Sequence, residues 1–287
     1  MGRTHIVDLS RILAVEAIDD AIFEGPVGPA MGPRLFGGQA VAQGLLATCA
    51  LENNGRLPHS LHAHFLKAGS SAEPVRYSVT TLSAGRSFAV RRVDGKQGDQ
   101  LIFSMTVSFH VRETGYAHSS PPPFSLDIDA AKAALEEWRA ANSEAVSLRI
   151  IDRLQKRPVE IVPVDPDTLL GIEGCEAKTA VWMRMRDASG ADPLLQRALL
   201  SYASDMMFMR NAMLPHGIRP GSDKVQGASL DHAVWFHETP DFGRWHLFAS
   251  ESPWAGYARG LNSGQFYDLD GRLVASVTQE NLMRPRS

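Results

Sequence analysis

Most apolar runs in this chain are short, bounded by turn residues and of strand character, and three longer stretches have the composition and spacing of helices. Ile18 to Glu24 reads as a strand, followed by a loop rich in turn residues over 25–33. From Gly38 to Glu52 the chain is apolar nearly all round and full of small residues, as a helix buried on most sides requires. Strands follow at Leu57–Leu66, Val75–Leu82, Ser87–Val93 and Leu101–Val111, joined as hairpins by turns at 83–86 and 95–98. The character changes after Glu113: the run Ser119-Ser120-Pro121-Pro122-Pro123 leads into an Ala/Glu-rich stretch, Ala130–Glu144, that propensity predicts as helix. Strands return around Val159–Pro163 and Thr179–Arg186, then a helix over Asp192–Met213 that starts with Asp192 as N-cap and Pro193 in its first turn. Four strands close the chain: Ser229–His237, Trp245–Ser250, Ala258–Asp268 and Arg272–Met283.

These elements repeat. Ser60-Leu61 and Ser229-Leu230 each head an apolar run of strand character. Each run is followed, past a Gly-Arg turn, by a terminal strand, Leu101–Val107 or Leu273–Gln279. Aligned on Thr106 and Thr278, the chain reads as two copies of one α+β unit, 1–112 and 158–287, joined by a linker, 113–157. The copies differ where Val107 in the first faces Gln279 in the second, and where the second helix carries Asp205 amid Tyr202, Met206 and Phe208. The first helix has no acid between Gln39 and Leu51.

Composition narrows the function classes. At 287 residues, 44% hydrophobic and 21% charged, the chain is an ordinary globular sequence long enough for two cores. Its formal charge of −3 offers no basic face to nucleic acid or anionic lipid. Cys49 and Cys175 are too few for a disulfide framework and lack metal-ligand spacing, so both are expected reduced and buried. The start lacks the apolar run of a signal peptide and no segment is long and apolar enough to span a membrane; a cytoplasmic protein is expected.

Six motifs stand in order: Leu35-Phe36-Gly37-Gly38-Gln39, Ser60 to Leu66, Gly85-Arg86-Ser87-Phe88, Tyr202-Ala203-Ser204-Asp205, Ser229 to His237, and Ala275-Ser276-Val277-Thr278-Gln279-Glu280. Together they resemble the acyl-CoA thioesterase II family over nearly the whole chain. The resemblance implies a double hotdog fold, in which a long helix is wrapped by an antiparallel sheet, twice in one chain. It also implies hydrolysis of acyl-CoA, of medium to long acyl chain, to free coenzyme A and a carboxylic acid, without cofactor or metal. By the same resemblance the catalytic residues are Asp205, Ser229 and Gln279, and the assembly is a homodimer or homotetramer. The family often has Thr where this chain has Ser229, which keeps the hydroxyl but loses the methyl that restricts its rotamer.

The chemistry suits these residue types. A thioester needs a water directed at its carbonyl carbon; a carboxylate accepts a proton from that water, while a hydroxyl and an amide each donate and accept. The leaving thiol, with a pKa of about 8.5 by analogy with cysteine, departs without a general acid. The helix start at Gly37, Gly38 and Gln39 has partly positive N–H groups suited to an oxyanion, or is a tight turn for packing. Arg86 and Arg259, with Arg91 and Arg92, are candidates for the coenzyme's phosphates, against a plain reading as solvated strand arginines. His59, His62 and His64 are read as structural, since strict alternation sets His59 on the opposite face from the other two. Residues 227–231 lack the second glycine of a nucleophile elbow.

Two other classes compete with hydrolysis. A non-catalytic acyl-CoA or lipid-binding hotdog protein would not need the three polar residues together. An acyl-CoA hydratase would need a placed Asp/His pair, and Asp241 and His246 have the spacing but lie beyond a turn, away from a helix entry. The ending, Pro285-Arg286-Ser287, is not a Ser-Lys-Leu peroxisomal signal. Met206, Met207, Phe208 and Met209 are the side chains expected to shape the acyl tunnel.

Overall fold

A computed structural model describes residues 9–28, 32–52, 54–142, 158–169, 176–218 and 222–286. Its helices are α1 (Leu9–Leu13), α2 (Gly37–Cys49), α3 (Ile128–Ala141), α4 (Pro193–Ser204) and α5 (Arg210–Met213). The strands are β1 (Glu16–Asp19), β2 (Ile22–Gly25), β3 (Leu57–Phe65), β4 (Val75–Ala84), β5 (Phe88–Gln97), β6 (Gln100–His110), β7 (Glu160–Pro163), β8 (Lys178–Arg184), β9 (Val225–Ser229), β10 (Asp231–Phe236), β11 (His246–Gly256), β12 (Arg259–Tyr267) and β13 (Leu273–Pro285). The chain packs as two compact units. One comprises Met1–Ala117, Ala191–Met206 and Asp231–Thr239; the other comprises His118–Gly190, Met207–Leu230 and Pro240–Ser287. Helix α4 and strand β10, late in the sequence, therefore pack in the first unit.

The first unit is an antiparallel sheet in the order β1-β2-β4-β5-β6-β3-β10, with α2 packed on it and α4 on α2. Helix α2 is buried along nearly its whole length because its side chains are small or apolar. Its one central amide, Gln43, is satisfied: Nε2 donates to Ile12 O (2.7 Å) and Pro26 O (2.9 Å), and Oε1 accepts from Tyr77 Oη (3.0 Å). The expected strand Ile18–Glu24 is instead a hairpin, β1 and β2, turning at Asp20 and Ala21.

A bulge corrects the histidine reading. Between Pro58 and Ser60 the β3–β6 register slips by one residue, which reverses the side-chain alternation. His59 consequently shares its face with His62 and His64; its Nε2 meets Ser108 Oγ at 2.8 Å, and burial, with the nearby His110 charge, holds it below its ordinary pKa. Among the described residues no His, Cys, Asp or Glu group could hold a metal ion. Arg91 also departs from expectation: it is buried, not solvated, with NH1 on Glu52 Oε2 (2.8 Å) and its guanidinium over the Phe109 ring. A guanidinium inside a sheet needs a carboxylate, and Glu52 just past α2 supplies it.

The second unit is a sheet in the order β13-β12-β11-β8-β7, with β9 paired along Asn281–Pro285 of β13. Asp127 caps α3, its Oδ1 accepting from Ala130 N–H at 2.9 Å. The helix, with Phe124, Leu126 and Ile128, covers an apolar face made of Trp182, Trp245, Leu247 and Tyr267. The last residues expected in this helix, 143 and 144, lie outside the described residues, as do residues 145–157 of the expected linker and Cys175. Cys49 is a buried thiol whose pKa burial pushes up to about 12. Among the described residues no helix is long and apolar enough to cross a membrane.

Candidate active site

The helix expected over Asp192–Met213 is broken. Asp192 caps α4 as its sequence predicts, with Oδ1 accepting from Leu194 N–H at 2.8 Å, but the helix stops at Ser204 and resumes at Arg210. Met207 takes a left-handed backbone (φ 66°), uncommon for a side chain of its kind. The acid sits at the stop: Asp205 is the C-cap of α4. A carboxylate there lies at the negative end of the α4 dipole, where it is disfavoured unless donors elsewhere hold it.

Its compensation comes from the start of α2. Phe36, the N-cap, gives α2 no side-chain cap, and Gly38 N–H donates to Asp205 Oδ2 at 2.8 Å. The acid thus serves as the missing cap, at the helix end where negative charge is favoured. Both glycines are required by close approach. A Cβ on Gly37 would stand 2.7 Å from Asp205 Oδ2 and 2.9 Å from the Phe65 ring, and one on Gly38 would collide with the Tyr202 carbonyl. Gln39 builds the loop: its N–H returns to Phe36 O and its Nε2 donates to Pro26 O at 3.2 Å. Under the last turn of α4, Ser204 Oγ donates to Ser201 O (2.9 Å) and lies 2.8 Å from His232 Nε2, both side chains fully buried.

In the second unit Gln279 and Ser229 meet directly. Gln279 Nε2 donates to Ser229 Oγ at 2.8 Å, across the pairing that sets Ser229 opposite Asn281. The expected strand Ser229–His237 is divided at Leu230, so that Ser229 ends β9 on β13 while β10 pairs with β3. Gln279 is 1% exposed on the same face of β13 as Val277 and Asn281. The sequence reading overlooked Asn281 and its partner Asn262, although the two-residue spacing of Gln279 and Asn281 on one strand is a visible signal. It also overlooked the Ser204–His232 pair, for which no sequence pattern stood out.

The candidate arginines differ. Arg86 is exposed in the β4–β5 turn, whereas Arg259 pairs with Glu280 (3.0 Å) and lies over the Trp254 ring. Met206 and Phe208 are buried, and Met209 packs with Ala212, Met213 and Met283. His246 is also buried, with Nδ1 on Arg244 O at 3.0 Å, and burial lowers its pKa.

Two family models match the chain: one described as acyl-CoA thioesterase over residues 154–282, the other as acyl-CoA thioesterase N-terminal domain over 26–110. Acyl-CoA thioesterase 2 of Haemophilus influenzae is 33% identical over 282 residues, covering 96% of this chain and 97% of that protein. Human acyl-coenzyme A thioesterase 8 is 33% identical over 293 residues, 99% of this chain and 91% of that protein. The crystal structure of an acyl-CoA thioesterase II, TesB2, from Mycobacterium marinum aligns with a TM-score of 0.78 at 30% identity, covering 97% of this chain and 98% of that one.

Proposed function

The chain belongs to the acyl-CoA thioesterase family and has its α+β double hotdog fold, and on that premise we propose that Asp205, Ser229 and Gln279 together direct a water onto the thioester carbonyl. The enzyme hydrolyses acyl-CoA to free coenzyme A and a carboxylic acid. The observation carrying the site is that Asp205, at the C-cap of α4, is held by Gly38 N–H. The Gln279–Ser229 contact supplies a prearranged amide and hydroxyl.

Asp205 takes the proton of the water as its oxygen attacks the carbonyl carbon; the tetrahedral intermediate then expels the thiolate. Gln279 and Ser229 orient the water, so the gain is mainly one of direction. The helix start of Gly37, Gly38 and Gln39, first considered as an oxyanion donor, is assigned here to holding the base through Gly38. Arg86 and Arg259 are retained as contacts for the coenzyme's phosphates. The repeat units 1–112 and 158–287 with linker 113–157, a preference for medium to long acyl chains, a cytoplasmic location and a homodimeric or homotetrameric assembly complete the reading.

Thiol release from acyl-CoA of graded chain length tests it. Asp205→Asn is expected to keep the fold and lose 10²- to 10⁴-fold in kcat, roughly 3–5 kcal/mol of barrier. Activity within about threefold of wild type would remove Asp205 from the mechanism. A covalent acyl adduct on Ser229, sought by mass spectrometry of quenched enzyme, would replace the water mechanism with a nucleophilic one.

A further inference from the structure

A serine and a histidine meet in the interior of the first unit, one residue before the proposed base. Ser204 Oγ and His232 Nε2 lie 2.8 Å apart, and both side chains are 0% exposed. In nucleophilic catalysis a histidine so placed takes the hydroxyl proton. Here that proton goes elsewhere. In a continued α4 the N–H of Asp205 would bond to Ser201 O, but it turns to Ala203 O, as does Met206 N–H at 2.9 Å. Ser204 Oγ donates to Ser201 O instead, at 2.9 Å. A carbonyl only accepts and a hydroxyl has one proton, so His232 Nε2 supplies the hydrogen of its contact with Ser204. A donating imidazole nitrogen takes no proton from serine.

This direction makes the pair an anchor. His232 sits on β10 opposite Ala63 of β3, a place fixed by the sheet register. The helix it reaches has ended, and the carbonyls of a last turn lack intrahelical partners. Sheet and helix end are therefore joined by two hydrogen bonds, His232 to Ser204 and Ser204 to Ser201, and the next residue is Asp205. Gly38 N–H holds the far end of that residue, at Oδ2. We propose that His232, acting through Ser204, is a positioning residue that fixes the end of α4 and with it the Asp205 carboxylate, an assignment that rests on Asp205 being the base proposed above. A base carried on a frayed helix end would lose direction, and displacing a reacting group by about 1 Å costs on the order of 10²-fold in rate.

The test compares His232→Leu, His232→Asn and His232→Gln. Glutamine places its amide nitrogen as many bonds from Cα as Nε2 of histidine, whereas asparagine falls one bond short. His232→Leu and His232→Asn are expected to lower kcat about tenfold with KM unchanged, and His232→Gln to stay within about threefold of wild type. Equal losses in all three, or a loss that falls on KM rather than kcat, would overturn the assignment. Ser204→Ala removes the same link and serves where His232→Leu fails to fold. It is expected to lower kcat by about as much, and combining it with His232→Asn should cost little more, because members of one hydrogen-bonded chain are not additive. Additive losses would separate Ser204 from the role.

The backbone amide resonance of Gly38, followed by NMR, reads the carboxylate without turnover. It is expected to shift in His232→Leu and Ser204→Ala and to hold its place in His232→Gln. A melting temperature that falls while this resonance stays put would show that His232 serves the core alone, and would overturn the anchor with wild-type turnover intact. Absence of wild-type turnover on every acyl-CoA, or full activity in Asp205→Asn, would instead sink the catalytic reading above, even with the Gly38 shift present.

Discussion

Strands β6 and β13 occupy equivalent places in the sequence repeat, and their buried faces differ in kind. The face of β6 is Phe103, Met105, Val107 and Phe109, each at most 1% exposed; that of β13 is Val277, Gln279 and Asn281, buried to the same degree. The neighbouring strands differ to match. Arg91 of β5 lies opposite Val107, and Asn262 of β12 opposite Gln279. In the first unit a buried charge is closed on Glu52, which also holds Arg56 Nε at 3.0 Å. In the second the polar groups are neutral amides, with Asn262 Nδ2 donating to Asn281 Oδ1 and Gln279 Nε2 to Ser229 Oγ. An ion pair satisfies burial by mutual attraction alone, whereas amides have a donor end and an acceptor end and so can transmit orientation.

The largest effect expected from crossing the two strands is on turnover. Gln279→Ala should cost roughly 10²-fold in kcat through lost positioning of the water. The reciprocal change, Val107→Gln, should give no new activity and should destabilise the fold by about 1–3 kcal/mol, since its amide enters a face with no partner arranged for it. Paired kinetics and thermal melts decide. Raised activity in Val107→Gln, or unchanged kcat in Gln279→Ala, would dissolve the distinction between the strands.

Gly37→Ala probes the proposed base in the first unit. The added methyl falls 2.7 Å from Asp205 Oδ2 and 2.9 Å from the Phe65 ring, too close for either to stay in place, so the carboxylate must move aside. The expected loss is about tenfold in kcat with a small change in melting temperature. A variant that melts well below wild type yet turns over normally would show that Gly37 serves packing alone.

The smallest effect on turnover belongs to Glu52→Gln, which should leave kcat unaltered and cost stability instead. It leaves Arg91, with a side chain 5% exposed, without its carboxylate, at a cost of about 3 kcal/mol. Burial works against ionisation of Glu52, but hydrogen bonds from Asn54 N–H, Arg91 and Arg56 outweigh it and hold the carboxyl below its ordinary 4.5. A depressed carboxylate stabilises the fold above its unfolded value and loses that contribution as pH falls through the folded one. The gap in melting temperature between wild type and Glu52→Gln should therefore be full at neutral pH and close below about 4.5. A gap constant with pH would mean that shape, not charge, holds Arg91.

Several parts of this arrangement were legible beforehand. Helix α2 was readable because burial on all sides leaves a continuous run of small and apolar residues, and Asp192-Pro193 announced the start of α4. Asp205 stood out as an acid among apolar residues, and Gln279 as the counterpart of Val107 in the repeat. His59 was misplaced because an alternating pattern cannot register a one-residue bulge, which depends on what β6 places opposite. The stop at Ser204 was missed for a similar reason: the apolar spacing through Met213 remains helical, and the α2 N-terminus that receives Asp205 lies far away in sequence.

The sequence by itself determined the α+β class, the repeat, the starts of α2 and α4 and the residue types available for chemistry. Each of these follows from local propensity or from burial residue by residue, which side-chain character records directly. Tertiary structure alone decided that Asp205 caps a helix 167 residues away in sequence, that Ser229 meets Gln279 across 50 residues, and that the Asn262 and Asn281 amides point one way. Those outcomes turn on register and on hydrogen-bond direction between distant segments. A sequence lists the donors and acceptors, and only their pairing in space tells which end of each is used.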